Sequence, residues 1–204
     1  MYIPAHFRIT DQAELQRFMR AHSFATLITA PGGVPFASHI PLLIEEDAGK
    51  LYLRSHLARA NPQWQHFGDE DVLVMFQGPH ALISPTWYES GPNVPTWNYT
   101  AVHAYGSAQV VAGEATRRIA YGLVAQHTPE MADIPEEFER RMLAGVVTFE
   151  VRVSRLEGKY KLSQNKPGAD RLNVQRELTG SELEHERALA EMMDQGEPEQ
   201  RPEQ

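Results

Sequence analysis

The sequence predicts an α+β chain built on a β-barrel, with peripheral helices and a helical extension on its C-terminal side. Three observations carry this. Short apolar segments of strand character follow one another at close spacing, helical patterns fall between and after them, and one stretch alternates cleanly. In that stretch Val147, Phe149, Val151 and Val153 alternate with Thr148, Glu150, Arg152 and Ser154, the two-residue period of a strand with one buried face.

The bulk properties narrow the classes. The 204 residues fit one domain, or one domain with an appendage, and can bury a core without covalent staples. No cysteine occurs, which removes disulfides, thiolate metal sites and cysteine nucleophiles and agrees with a cytoplasmic setting. Met1 to Thr10 lack the basic-then-apolar pattern of a signal peptide, and no apolar run of about 18 residues suggests a membrane span. A formal net charge of −8 opposes non-specific attraction to DNA.

The elements follow in order. Asp11, with Glu14 three residues on, opens a helix whose face carries Leu15, Phe18 and Met19. Ser23–Ala30, the turn Pro31-Gly32-Gly33 and Val34–Ile44 read as a hairpin. Glu45 to Lys50 reads as a polar turn and Leu51–Ser55 as the next strand. Asn61 caps a short helix with Pro62 at its first position and Trp64 and Phe67 inside it. Asp71–Gln77 and His80–Ser84 are two strands parted by Gly78-Pro79. Pro85–Tyr99 is irregular and aromatic, a kind of loop that is uncommon unless functional. Thr100–Val111 is a strand, and Ala115–His127 a helix with Ile119, Leu123 and Val124 on its apolar face. Past the alternating strand the chain turns polar and helical, with a second capping pattern at Ser181 and Glu184. From Glu197 the tail has the composition of a disordered segment. The predicted organisation is a barrel domain over residues 1–174, a helical extension over 175–196 and a tail over 197–204.

Several groups of residues are candidates for chemistry. Arg54–Pro62 ends a strand and opens a helix, the place where backbone N–H groups can meet an anion. Ser55 and His56 add donors there, and Arg59 adds a charge suited to bidentate phosphate contact. The plainer reading is that Asn61 only caps while Arg59 faces solvent. Ser38 and His39 sit in a strand and suit either a planar heterocycle or an ordinary interior. Gln77 ends a buried strand, where its amide needs partners. Trp87, Tyr88, Trp97, Asn98 and Tyr99 supply aromatic area to cover a flat ligand, or a plug on the barrel itself. Lys161, Ser163, Gln164, Asn165 and Lys166 form a polar cluster on the exit from the barrel, whose plainer reading is a solvated turn. No HExxH pairing, GxSxG elbow or Walker loop occurs, so no metal site is predicted.

Taken together, MYIPAHF (Met1–Phe7), SHIPLLI, SHLARANPQW, VMFQGPHALISPTWY, VPTWNYTAVHAYG and KLSQNK (Lys161–Lys166) resemble the FMN-binding negative transcriptional regulators of the PaiB type. These belong to the split-barrel flavoproteins related to pyridoxamine-phosphate oxidase. The resemblance covers roughly Met1 to Val174 and implies an FMN-binding split barrel that dimerises with flavin at the subunit interface. Ser55, His56, Arg59 and Asn61 would then hold the phosphate, Ser38 and His39 would lie near the isoalloxazine, and Gln77 would reach it from a neighbouring strand. Trp97, Asn98, Gln164 and Asn165 would close the site, from the same chain or the partner. Leu82 departs from the pattern, which has an aromatic there. The resemblance implies a repressor, with DNA as a partner that the charge does not favour. A flavin-dependent oxidoreductase is the alternative. Haem is a third possibility, for which His80 or His103 would be the iron ligands.

Overall fold

The computed structural model describes residues 1–68, 70–128 and 134–195, except for the side chain of Gln195. The predicted disordered tail lies outside the described residues. An eight-stranded sheet and five α-helices make up these residues, as the α+β class requires. The strands are β1 (Arg8–Ile9), β2 (Phe24–Thr29), β3 (Phe36–Pro41), β4 (Leu43–Asp47), β5 (Lys50–Ala58), β6 (Asp71–Ile83), β7 (Thr96–Val111) and β8 (Val146–Lys161). Their order is β3-β2-β6-β7-β8-β5-β4, with β1 also on β8. The helices are α1 (Gln12–Ala21), α2 (Glu114–His127), α3 (Glu136–Ala144), α4 (Gly168–Thr179) and α5 (Glu184–Gln195).

Contacts divide the chain into two units that interleave along the sequence. The first takes Met1–Thr10, Gln77–Ala101 and Gly158–Gln204; the second takes Asp11–Phe76 and Val102–Glu157. In the second unit, Asp11 caps α1 by accepting from the N–H groups of Ala13 (2.8 Å) and Glu14 (3.3 Å). This satisfies two of the donors a helix start leaves open. Leu15, Phe18 and Met19 are buried as their spacing requires. Leu43, Ile119 and Leu123 form an apolar cluster with Val111 against it.

Local chemistry explains where the observed strands differ from the expected ones. The stretch from Val34 to Ile44 is two strands, parted at the fully buried Leu42, whose N–H goes back to Ser23 O (2.9 Å). The polar turn is shorter than its composition suggests. Ala48 and Gly49 both adopt positive φ (49° and 72°), as a two-residue hairpin turn demands, so β4 and β5 extend into Glu45–Lys50 and pair antiparallel. β6 runs unbroken through Gly78-Pro79. Its register with β2 ends at Met75, so the proline, which lacks an N–H, lies beyond that pairing. β7 begins four residues earlier than predicted, because Asn98, Thr100, Val102 and Ala104 carry one buried alternation.

In the first unit α4 and α5 bury Val174, Leu178, Leu189, Ala190 and Met193. Val174 lies within α4, so this helix is continuous across the predicted boundary at residue 174. Ser181 lies three residues before α5, and its hydroxyl meets Glu186 (2.5 Å) and the N–H of Leu183 (3.1 Å) instead of forming the predicted pattern with Glu184.

Candidate functional site

The predicted site residues fall into two clusters, one in each unit. In the second unit the cluster forms where β5 passes into a single 3₁₀ turn, Pro62–His66. Asn61 caps that turn by accepting from Gln63 N–H (3.0 Å), and its amide nitrogen donates to Ser38 Oγ on β3 (2.9 Å). Arg59 is exposed, and its guanidinium is anchored. Nε donates to Ala144 O (2.7 Å) and Nη2 to Val146 O (2.8 Å), while Nη1 has no protein partner among the described residues. Trp64 Nε1 donates to Arg59 O (3.2 Å) and fixes the turn from the other side.

Not every expected donor points outward. Ser55 is fully buried and gives its hydrogen to Pro41 O (2.6 Å). The backbone N–H groups of Arg59, Asn61 and Gln63 are also taken, by Gly145 O, Ala58 O and Asn61 Oδ1. The turn therefore offers side chains in place of an open row of amides. His56 is half-buried, and its Nδ1 is enclosed without a hydrogen-bond partner. Burial lowers its pKa, so at neutral pH it is an uncharged donor or acceptor. His39 is exposed and pairs through Nδ1 with Thr26 Oγ1 (3.0 Å).

Gln63 was not legible as a site-forming residue, since it follows Pro62 like any first-turn helical residue. It is fully buried, and its amide nitrogen reaches Leu27 O (3.0 Å), Phe36 O (3.1 Å) and Thr29 Oγ1 (3.4 Å). It thereby ties the 3₁₀ turn to β2 and to the start of β3.

The first unit holds the second cluster, a cleft of about 280 Å³ lined by Tyr88, Asn93, Thr96, Asn98, Lys161, Ser163, Asn165 and Lys166, among others. The KLSQNK stretch is here a partly buried wall and not a solvated turn. Asn98 stands on β7, fully buried. Its amide nitrogen donates to Ser163 Oγ (2.9 Å), while Oδ1 is enclosed without a partner. Ser163 takes a left-handed φ of 63°, a conformation costing a non-glycine residue about 1–3 kcal/mol. Lys161 Nζ donates to Thr96 Oγ1 (2.5 Å) and Trp97 O (2.6 Å). Burial, followed by the charges of Lys159 and Lys166, lowers its pKa. Lys166 Nζ donates to Asn93 Oδ1 (2.6 Å) and lies 4.5 Å from the centre of the Tyr88 ring. Burial raises the pKa of Tyr88, whose hydroxyl lies beside Ser163 without a hydrogen bond of proper geometry.

Asp170, at the start of α4, went unrecognised because its partners are some 80 residues away. It accepts from the Ser90 hydroxyl and from the N–H groups of Glu89 (2.7 Å) and Ser90 (3.2 Å). These bonds, the Ser90 hydroxyl first, hold its pKa below the usual carboxylate range. The remaining expected residues are not drawn into the cleft wall. Trp97 is exposed and near the His80 ring (6.1 Å between centroids), and Gln77 is exposed. Gln164 is spent on its own turn, accepting from Leu162 N–H and donating to Tyr160 O, both at 2.6 Å.

Comparison with known proteins gives a consistent picture. The sequence pattern of a family described as "Putative FMN-binding domain" matches residues 1–155. The chain is 40% identical over 201 residues to the protease synthase and sporulation protein PAI 2 of Bacillus subtilis, covering 95% of this chain and 97% of that one. An uncharacterized protein of Aspergillus fumigatus is 28% identical, over 85% and 89% of the two chains. Among solved structures, the FAD and heme binding protein of Mycobacterium smegmatis superposes with a TM-score of 0.61 at 15% identity, over 81% of this chain and 78% of that one. The flavocytochrome Anf3 of Azotobacter vinelandii gives 0.60 at 14% identity, over 78% and 72%. At such identities the likeness is one of fold. That fold is the split barrel.

Proposed function

The chain belongs to the PaiB-type family of FMN-binding domains, and from that premise we propose that it binds FMN as a homodimer. The phosphate is gripped at the turn after β5 by Arg59, His56 and Asn61. Ser38 and His39 lie toward the ring, and Ser55 acts as a strut beneath them. Gln77, Trp97, Asn98, Gln164 and Asn165 border the bound cofactor, contributed by either copy of the chain. The observation that carries this reading is a guanidinium anchored by two carbonyls just past the end of β5, with the enclosed, unpartnered Nδ1 of His56 three residues before it in the chain. A buried polar atom without a partner asks for one, and two carbonyls already hold Arg59 where it needs no ordering on binding. When bound, FMN supplies the redox chemistry, while the chain holds and orients it.

Titration of the purified protein with FMN, followed by quenching of flavin fluorescence, tests the reading alongside native mass. Saturable binding of FMN in preference to FAD, with a mass of two chains, is expected. A protein that stays colourless and monomeric at saturating FMN overturns it.

The proposed role is that of a cytoplasmic negative regulator of transcription, a role supported by the family resemblance. The net charge of −8 argues that any DNA contact depends on a local surface or on another protein. Gel-shift titration with the protein's own upstream region at several salt concentrations decides between them. A second reading, a flavin-dependent oxidoreductase, is favoured by the lysine-lined cleft, which has the dimensions of a small-molecule pocket. Anaerobic reduction of the bound flavin by NADH or NADPH tests that reading, and a flavin that neither reduces counts against it. No helix among the described residues is long and apolar enough to cross a membrane.

A further inference from the structure

We infer that the cleft walled by Tyr88, Asn93, Asn98, Lys161, Asn165 and Lys166 binds a small oxyanion bearing a hydroxyl or acid proton, such as a hydroxy-carboxylate or a phosphate monoanion. This ligand sits beside the flavin and is distinct from it: Asn98 and Asn165, which the proposed function sets at the border of the cofactor, are the edge that the two would share.

Charge comes first. Lys159, Lys161 and Lys166 fall within one short stretch. Among the described residues, the charges acting on Lys161 are those of Lys159 and Lys166, with no carboxylate among them. Asp170 acts on Lys166, but its oxygens are already engaged by Ser90 and Glu89. Lys159 is itself buried, and among the described residues its neighbours are Tyr2 O (3.2 Å) and the faces of Tyr2 and Tyr99. Ammonium groups withdrawn from water in this way are stabilised by an anion.

Spare hydrogen-bonding capacity comes second. Lys161 uses two N–H groups on Thr96 and Trp97, and Lys166 uses one on Asn93. Of the three that each ammonium carries, one and two are left. Asn165 is exposed at the rim.

The third point sets the ligand's character. Asn98 is sealed from solvent with Oδ1 unpartnered, and that atom accepts a hydrogen bond but cannot donate one. A bare oxyanion would leave it unsatisfied, whereas an oxyanion with a neighbouring O–H would not. The volume of about 280 Å³ equals that of about nine waters in the liquid, so the ligand is small. A purely structural role, with Lys161 pinning the start of β7, accounts for the bonds to Thr96 and Trp97. It accounts for neither the second lysine nor the unpartnered amide.

Inorganic phosphate, glycolate and acetate serve as probes, followed by backbone amide shifts at constant ionic strength, with and without saturating FMN. The expected result is saturable shifts in Asn93–Tyr99 and Lys161–Lys166 for phosphate or glycolate, and weaker binding of acetate, which lacks the hydroxyl. Lys161→Met and Lys166→Gln should each weaken binding at least about tenfold, Lys161→Arg should restore most of it, and FMN affinity should hold in all three. Thermal melts establish that each variant is folded. Three results overturn the proposal: shifts that never saturate, binding indifferent to both lysines, or one-for-one displacement of phosphate by FMN with a matching loss of FMN affinity in Lys161→Met. The last result would make the cleft the seat of the cofactor's own phosphate.

Discussion

Arg59 holds two carbonyls of the segment joining α3 to β8 and still turns an unpartnered nitrogen outward. Arg59→Ala therefore has two separable effects. Loss of a charge-assisted contact to phosphate, about 1.5–3 kcal/mol, is expected to weaken FMN binding by roughly 10- to 150-fold. Riboflavin, which lacks the phosphate, should bind the unmodified protein poorly and be nearly indifferent to the change. Equal losses for both ligands would place the effect in folding. Gln63 sits at the opposite extreme, wholly buried. Gln63→Ala removes the amide donor to the carbonyls of Leu27 and Phe36, a loss of about 0.5–1.5 kcal/mol for each hydrogen bond. A matching fall in the urea midpoint is expected, and a midpoint that does not move would mean that water replaces the amide without loss.

Whether a segment was readable in advance depended on where its partners lie. α1 was legible because its cap and apolar stripe are local. Asp11→Ala should cost about 1 kcal/mol, measurable as lost thermal stability. The early part of β7 was hidden because Asn98 and Thr100 occupy its buried face, and polar residues do not announce an inward direction. The break at Leu42 and the unbroken run through Pro79 were equally hidden, since both depend on which neighbour a strand finds. In the candidate site, the polar turn after β5 was visible as a string of capable residues. Strand alternation would put Ser55 and Arg59 on one face; Ser55 is buried and Arg59 exposed because β5 ends at Ala58 and Arg59 has already left the strand, which no local pattern encodes. In the neighbouring pair, β7 lies so close to β8 that a methyl group on Gly106 would meet Arg152 O at 2.1 Å. Gly106→Ala should accordingly destabilise the sheet by about 1–3 kcal/mol, read from chemical denaturation, and an unchanged midpoint would show that the backbone yields.

Histidines give the whole molecule a pH dependence. Burial lowers the pKa of His22, His56 and His103, so below about 6.5 the unfolded chain takes up protons that the folded chain refuses. Stability is complete above that value and declines as pH falls toward the depressed folded values. Melts at pH 7.5 and 5.5 should show the drop, and His56→Gln should shrink it. Length matters at this scale too. The family pattern ends at residue 155, yet β8 continues to Lys161, and the lysine wall stands beyond that limit. A gene cut after residue 155 would still carry the whole family pattern while lacking four of the ten residues that line the second pocket, both lysines among them. A relative that keeps Lys161 and Lys166 is expected to hold a small oxyanion in this cleft, and one in which both were replaced is expected not to.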